Sequence, residues 1–342
     1  MKRQKIITAA VALALLVSAA AAADTDRLYI ASGDSYVVVD PADGGVLHQG
    51  NITGGTDGAG ADGEPADTPS IIPTPGGRFV FFHRPWSDTV TVVDAESHRP
   101  VRTIDLPQAA RTIVFSSMGD EVFLPIADNR FVYLDHRRGE IRGGAQDLRA
   151  PAESHPAFNR RATRLYATDS GRGGPKLVYV LKSSGEEIAE VALPAGNYDW
   201  QASPNFRYLL GVDNDGDRLV VVTEQARRVT AEIDEDVVPD QAFFSSDSET
   251  ITALLADRRT ALVIDARRGR VRERVQLPER VDYLRADVDG RLLAVSGTTV
   301  ILDVGGQNRR VDVGRYLDGG GGDAGVRTQL VTLKPGQGFA CF

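Results

Sequence analysis

Val90-Thr91-Val92-Val93-Asp94 is a β-branched run that ends in an acid, and related runs return along most of this 342-residue chain. Each copy ends in Asp or another polar residue, and a polar turn follows it. The other copies are Tyr36-Val37-Val38-Val39-Asp40, Phe131-Val132-Tyr133-Leu134-Asp135, Leu177-Val178-Tyr179-Val180-Leu181-Lys182, Leu219-Val220-Val221-Val222-Thr223-Glu224, Ala261-Leu262-Val263-Ile264-Asp265 and Thr299-Val300-Ile301-Leu302-Asp303. Most copies lie roughly 40 residues apart, the period of a repeat built from four strands.

Each copy belongs to a longer unit of strands. An apolar run such as Phe79 to Phe82 or Thr250 to Leu255 precedes it, and a charged run such as Val101 to Leu106 or Val271 to Val275 follows. The charged runs alternate apolar and polar residues at period two, which indicates half-buried strands. Charge along a strand also protects the outer edge of a sheet from pairing with other chains. The pattern therefore predicts an all-β chain.

The repeated unit predicts the architecture, because one four-stranded sheet cannot bury both of its faces alone. Sheets stacked around a common axis bury them against one another. Seven copies predict a seven-bladed β-propeller of four-stranded antiparallel blades, formed by residues 24–342 as one domain. The first unit lacks an inner strand, and the C-terminal run Val326 to Leu333 has the character to supply it. We therefore expect the C-terminal strand to join blade 1 and close the ring.

The N-terminus has the pattern of a secretory signal peptide. Basic residues 2–5 precede a short apolar run, and Ala21-Ala22-Ala23 fits a cleavage site, so residues 1–23 are predicted to be removed on export. The apolar run is shorter than the roughly 20 residues that span a bilayer. These features predict a periplasmic or secreted protein without a membrane span.

Composition narrows the classes of partner. The net charge is −8, and residues 1–23 hold three of the cations and no acid. Nucleic acid and anionic lipid both bind clustered cations, so the sequence disfavours these partners. Cys341 is the single cysteine, which excludes an internal disulfide; its role stays open. We expect a monomer that binds a small ligand or a protein outside the cytoplasm.

Several segments resemble a known family. Thr89-Val90-Thr91-Val92-Val93-Asp94, Arg102-Thr103-Ile104-Asp105-Leu106-Pro107 and Gly290-Arg291-Leu292-Leu293-Ala294-Val295 are similar to the 40-residue YVTN-type propeller repeat. The second unit departs from the family at Arg84, where the family's second strand carries Asn. The resemblance covers nearly the whole mature chain. It implies a propeller fold and an exported bacterial protein, but no particular reaction.

In a propeller, the loops that enter each inner strand share one face with the hairpins between second and third strands. The entering loops carry Asp67, Arg111, His155, Asp199, Trp200, Asp240, Asp282, Tyr283 and Arg327. His with carboxylates can bind zinc, so His155, Asp199, Asp240 and Asp282 are candidate ligands of a divalent metal. The alternative is that several of these acids are solvated turn residues or pair with Arg111 and Arg327.

Three further segments could act on this face. Arg84 and Trp86 lie in a hairpin of blade 2. This hairpin either recognises a ligand or partner or packs over the neighbouring blade. Residues 53–67, rich in Gly and acids, form an insertion between blades 1 and 2 that is either a tolerated loop or an acidic lid. Residues 213–217 resemble a calcium loop, but Gly216 stands at the wrong place for the EF-hand pattern.

No local catalytic signature is present in the sequence: it has no G-x-S-x-G, H-E-x-x-H or P-loop motif. The sequence favours a non-enzymatic propeller that binds a ligand, metal ion or partner on its acidic loop face, as metal chaperones do. A metal-dependent hydrolase or lactonase using the same acids is the first alternative, and an accessory subunit of a periplasmic redox system is the second. A buried acid with a raised pKa would favour the enzyme, whereas salt-bridged acids would favour binding.

Overall fold

The computed structural model describes residues 25–52, 69–74, 77–85, 87–110, 113–115, 122–126, 130–135, 140–147, 156–161, 163–181, 183–214, 217–287, 289–304, 306–317 and 326–333. These ranges consist of strands and connections, with one turn of 3-10 helix at Gly314–Tyr316. Within them, no helix is long and apolar enough to cross a membrane. The described part of the chain is all-β, as the sequence predicts.

The described strands form six antiparallel sheets, numbered I to VI in chain order. Sheet I contains β1 (Thr25–Ser32), β2 (Ser35–Val39), β3 (Val46–Asn51) and the C-terminal β28 (Val326–Leu333). Sheet II contains β4 (Ser70–Pro73), β5 (Phe79–His83), β6 (Ser87–Asp94), β7 (Pro100–Ala110), β8 (Val114–Phe115), β9 (Val122–Ile126), β10 (Arg130–Asp135) and β11 (Glu140–Asp147).

The other four sheets each follow the chain without interruption. Sheet III contains β12 (Ala157–Phe158), β13 (Arg164–Asp169), β14 (Lys176–Leu181) and β15 (Glu187–Ala192). Sheet IV contains β16 (Tyr198–Ala202), β17 (Tyr208–Asp213), β18 (Leu219–Thr223) and β19 (Arg228–Ile233). Sheet V contains β20 (Val237–Phe244), β21 (Thr250–Leu255), β22 (Thr260–Asp265) and β23 (Arg270–Gln276). Sheet VI contains β24 (Tyr283–Ala286), β25 (Leu292–Ser296), β26 (Thr299–Val304) and β27 (Arg309–Asp312).

The prediction of seven separate four-stranded blades is wrong. Five sheets have four strands, but the strands expected to form blades 2 and 3 share one eight-stranded sheet, so the described propeller has six sheets. The joint is β7, which continues past the predicted strand end and pairs with β9 through Ala110 and Ile126. Register shifts between β6 and β7 accompany this extension. Bulges of this kind are set by local backbone geometry and leave little trace in a hydrophobic pattern.

The ring closes through the C-terminal strand. β28 pairs antiparallel with β1 in a register that runs from Thr25 opposite Leu333 to Ser32 opposite Val326. β28 also contacts β24 of sheet VI and β4 of sheet II. The first and the last described strands of the chain therefore pair with each other in sheet I.

The repeated Asp has a structural role. At the end of the third strand of its unit, it accepts backbone N–H groups from the turn that follows. Asp94 accepts those of Glu96 and Ser97 at 3.1 and 2.9 Å, and Asp265 accepts those of Arg267 and Arg268 at 3.0 and 2.9 Å. Such Asx turns end a strand by offering the backbone a local acceptor. The sequence signal that identifies the repeat is thus a turn signal.

The same turns bring neighbouring sheets together through a residue with left-handed backbone conformation. Gly269 has φ of +59°, and a Cβ added to it would lie 1.8 Å from the Cβ of Ala231 in sheet IV. His98, with φ of 60°, occupies the corresponding place in the β6–β7 turn and reaches Tyr29 and Tyr36 of sheet I. The core therefore lies between sheets, where buried side chains of adjacent sheets form continuous clusters.

Candidate binding face

One side of the ring, here called the loop face, carries the hairpins β1–β2, β5–β6, β13–β14, β17–β18, β21–β22 and β25–β26 together with the connections that enter each inner strand. The opposite side is called the turn face. Of the residues that the sequence assigns to the site, Trp86, Arg111 and His155 lie outside the described residues, as do residues 53–67. For Asp240 and Arg327 only the backbone is described, in β20 and β28.

Arg84 connects two sheets on the loop face. Its guanidinium donates to the carbonyl oxygen of Gly33 at 2.9 Å and forms an ion pair with Asp34 in the β1–β2 hairpin. The Arg84 side chain is 13% exposed, whereas that of Asp34 is 79% exposed. Arg84 thus holds two hairpin tips together. The Asp34 carboxylate, and not the guanidinium, is the group of this pair that is exposed on the loop face.

Trp200 belongs to the core. It is 5% exposed, and its Nε1–H donates to the hydroxyl of Thr168 at 2.9 Å. Thr168 in turn donates to the carbonyl oxygen of Tyr198 at 2.8 Å. Gly211 lies beneath the indole, where a Cβ would come within 2.8 Å of the ring. The indole therefore joins sheets III and IV, with its one polar group bonded inside.

Asp282 and Asp199 hold loop-face hairpins in place. Asp282 accepts the N–H of Gly297 at 2.7 Å and lies 3.6 Å from the guanidinium of Arg258. The amide of Asn214 donates to Asp199 at 3.4 Å. Tyr283, next to Asp282, is half-buried against the cluster between sheets I and VI. The described part of the predicted site is therefore spread around the ring as a set of structural contacts.

The structure does not bring a predicted metal site together within the described residues. No group of three His, Cys, Asp or Glu side chains there is close enough to hold a metal ion. The part of the prediction that rests on His155 and Asp240 falls outside the described side chains and stays a prediction. In the calcium-like stretch, Asp213 is 2% exposed and accepts the N–H of Asn197 at 3.0 Å, so it supports the neighbouring loop.

Exposed carboxylates outnumber cations on the described part of the loop face. Asp34 and Asp234 have side chains 79% and 71% exposed, and Arg84 and Arg218 are their respective partners. Further exposed acids lie at the tips or ends of other strands: Asp88, Asp217, Asp236, Asp257 and Asp312. The exposed cations are Arg172, Arg259, Arg280 and Arg315. We call this set of exposed acids the acidic rim.

The acids with shifted pKa values are all stabilised as carboxylates. Burial alone would raise the pKa of Asp257, but the N–H of Arg259 and the hydroxyl and N–H of Thr260 lower it overall. Hydrogen bonds from Arg272 and from the N–H of Arg268 lower the pKa of Asp265. Among the described carboxyl groups whose pKa shifts are resolved, none is raised. A general acid working at neutral pH would need the opposite shift.

The sequence reading missed a cluster on the turn side of the boundary between sheets I and II. His48 and His98 meet there with ring centroids 6.4 Å apart, beside Tyr29 and Tyr36. We call these four residues the histidine seam. The chain separates the two imidazoles by fifty positions, and only packing of sheet on sheet joins them. The sequence signal for it is His98 itself, which occupies the turn position where sheets I, III and V have Gly44, Gly185 and Gly269.

No protein-family model matches the chain, and no curated protein sequence does. Solved structures similar to it include hydrazine synthase of Kuenenia stuttgartiensis, with 15% identity, a TM-score of 0.53, and coverage of 68% of this chain and 76% of that one. Dihydro-heme d1 dehydrogenase NirN in complex with DHE has 17% identity and a TM-score of 0.55, covering 84% of this chain and 63% of that one. The Cps50 (Swd1) β-propeller domain of Myceliophteria thermophila has 14% identity and a TM-score of 0.59, covering 78% of this chain and 89% of that one. At these identities the likeness concerns the fold alone, and the chain is a β-propeller.

Proposed function

We propose that this chain is an exported, non-enzymatic β-propeller that binds a protein partner on its loop face through the acidic rim. The observation that carries the proposal is a rim of exposed carboxylates on hairpins that are bonded to one another. The proposal of export rests on the pattern of residues 1–23, and membership of the YVTN-type family remains part of the same proposal.

The rim is preorganised by bonds between successive tips. Arg84 joins the tips of sheets I and II, and Arg258 joins sheet V to Asp282 at the entry of sheet VI. Asp213 holds the loop before β16. A surface that is ordered before binding loses little conformational entropy when a partner docks, which favours affinity. The exposed acids then select a partner with a basic surface and accelerate its approach.

The carboxylates support binding over hydrolysis. A hydrolase would need an acid or base whose pKa is moved towards neutral pH, whereas hydrogen bonds lower the pKa values of Asp257 on this face and Asp265 on the other. The two described acids of the predicted metal set, Asp199 and Asp282, are engaged with loop groups. These contacts favour a rim that stays charged and fixed in shape.

Site-specific photo-crosslinking tests the proposal. A photoreactive amino acid is placed at Asp217 on the loop face or at Glu187 on the turn face, and the protein is expressed in its own host. We expect a discrete adduct with a protein that has a basic surface from position 217, and no such adduct from position 187. Adducts of equal yield from both positions, or none from position 217, would contradict the proposal.

Charge reversal separates recognition from mere proximity. Asp217→Lys is expected to reduce capture of that partner several-fold at low salt, with a smaller reduction at high salt because ions screen exposed charges. Glu187→Lys makes the same charge change on an exposed turn-face residue and should leave capture unchanged. Equal losses for both variants would mean that net charge, not the rim, governs binding.

A further inference from the structure

The histidine seam joins sheets I and II through hydrogen bonds and ring contacts. His98 is 9% exposed, and its Nδ1 lies 3.0 Å from the hydroxyl oxygen of Tyr29. The Tyr36 hydroxyl donates to the backbone oxygen of His98 at 2.6 Å. Both tyrosines belong to sheet I, and His98 is presented by the β6–β7 turn of sheet II. Two hydrogen bonds made by tyrosine side chains of sheet I therefore join His98 of sheet II across the boundary between the two sheets.

Space for this contact comes from Gly50 in β3. A Cβ at Gly50 would lie 2.6 Å from the Tyr36 ring, so a side chain at this position would displace the ring. His48, two residues earlier, covers the cluster, with its ring centroid 5.9 Å from that of Tyr36 and 6.4 Å from that of His98. The second imidazole is half-buried and lies at the edge of the cluster.

The charges around the seam disfavour further positive charge. Arg27 faces His98 from β1 and is balanced in part by Asp40 at 3.3 Å, and Arg99 follows His98 in the turn. Asp94 is the acid beside His98, and Arg78 engages it at 3.1 Å. Each imidazole thus has an arginine near it, and the neighbouring carboxylates are already paired.

Burial and the arginines act in the same direction on both histidines. Burial first, and then Arg99, lower the pKa of His48. Burial first, and then Arg27 and His48, lower the pKa of His98, while Asp94 opposes them. The Tyr29 hydroxyl can donate to an unprotonated Nδ1 of His98 or accept from a protonated one, so this hydrogen bond is compatible with both forms of the imidazole.

We propose that His48 and His98 form an acid-sensitive latch that holds sheets I and II together when both imidazoles are neutral and loosens their boundary when they take up protons. Two imidazolium rings with centroids 6.4 Å apart repel each other and the adjacent arginines, so protonation of both rings destabilises the boundary. Sheet I also contains the β28–β1 pairing that closes the ring, so the latch acts on a sheet on which closure depends. The latch acts on the fold itself and does not depend on what the loop face binds.

The sign of the effect follows from linkage. A histidine whose folded pKa is lowered favours folding only while it is neutral, so stability is complete above the unfolded pKa of about 6.5. As pH falls below that value the unfolded chain takes up protons first, and stability declines until the folded pKa is reached. Within this window each histidine raises the unfolding equilibrium constant by up to roughly tenfold per pH unit. His83, whose pKa is lowered to about 4 by burial, adds to the same decline from elsewhere in sheet II.

The test measures urea unfolding of the full chain from pH 7.5 to 5, for the wild type and for the double variant His48→Gln/His98→Asn. Asn tolerates the left-handed backbone at position 98 and cannot take up a proton. We expect the wild-type unfolding constant to rise steeply below pH 6.5 and the double variant to show a smaller slope, to which His83 contributes. A double variant with the full wild-type slope would overturn the latch.

Two local measurements on the wild-type protein test the latch even if the double variant does not fold. Amide exchange, corrected for its intrinsic pH dependence, should increase on acidification in β1 and β6 and stay constant in β18 and β22. The imidazole resonances of His48 and His98 should titrate below pH 6.5. Ordinary or raised pKa values for both histidines, or an exchange increase of the same size in all four strands, would refute the proposal.

Discussion

At the scale of single residues, this chain uses several conspicuous side chains for joining sheets. Trp200, Asp282 and Arg84 all lie where a binding residue is expected, yet each has its polar group bonded to a neighbouring strand or hairpin. Position along the repeat identifies the face on which a residue lies. It does not identify the partner of a side chain, because that partner lies in another strand or hairpin, often of another sheet, and depends on packing.

Gly269 offers the sharpest test of residue-scale packing. Gly269→Ala combines a left-handed backbone, which costs an L-residue roughly 1–2 kcal/mol, with a Cβ only 1.8 Å from Ala231, where overpacking costs roughly 1–3 kcal/mol more. Gly297→Ala is the matched control, since its φ is +54° and nothing lies within 4 Å of the added Cβ. Urea denaturation should show the larger loss for position 269. Equal losses would mean that the turn is free to move away from sheet IV.

At the scale of elements, the sequence reading worked where a pattern is local. The run Ala261 to Asp265 was expected as a third strand, and β22 ends at that Asp because its carboxylate accepts the turn N–H groups. The joint between β7 and β9 could not be foreseen in the same way. It depends on how far β7 continues and on one pairing, Ala110 with Ile126, which the hydrophobic pattern of either strand does not encode.

Asp265 provides an element-scale prediction with a defined pH dependence. Its carboxylate receives Arg272 at 2.7 Å and two backbone N–H groups, and these bonds lower its pKa. A lowered pKa stabilises the fold above the unfolded value of about 4, and this contribution is lost as pH falls through the folded pKa. Asp265→Asn should therefore lower the urea midpoint clearly at pH 6 and by less at pH 2.5.

The exposed Asp217 is the control for that substitution. Asp217→Asn removes the same charge from a hairpin tip on the other face and should leave the midpoint unchanged at both pH values. If Asp265→Asn instead lowers the midpoint by the same amount at both pH values, the carboxylate acts through shape and not through charge. The repeated acid would then be replaceable by any side chain that closes the turn.

At the scale of the whole molecule, closure decides whether the sheets form a ring. The pairing of β28 with β1, which the C-terminal sequence pattern suggested, places the last strand between β24 and β4. The number of sheets was not foreseen, since counting repeats cannot show whether two adjacent units share one sheet. The histidine seam was missed for a related reason: His48 belongs to sheet I and His98 to a turn of sheet II, and only the packing of one sheet on the other brings their rings together.

Truncation at the C-terminus tests closure directly. A chain that ends at Leu317 lacks β28 and leaves eight residues of β1 without their partner, whereas a chain that ends at Leu333 keeps the whole strand. Each backbone hydrogen bond contributes roughly 1 kcal/mol net, so losing this pairing removes several kcal/mol from a total stability of about 5–15 kcal/mol. Calorimetry should show a much lower and broader transition for the shorter chain, and proteolysis should begin within β1. If both chains unfold at the same temperature, the inter-sheet clusters alone hold the ring, and sheet I needs no fourth strand.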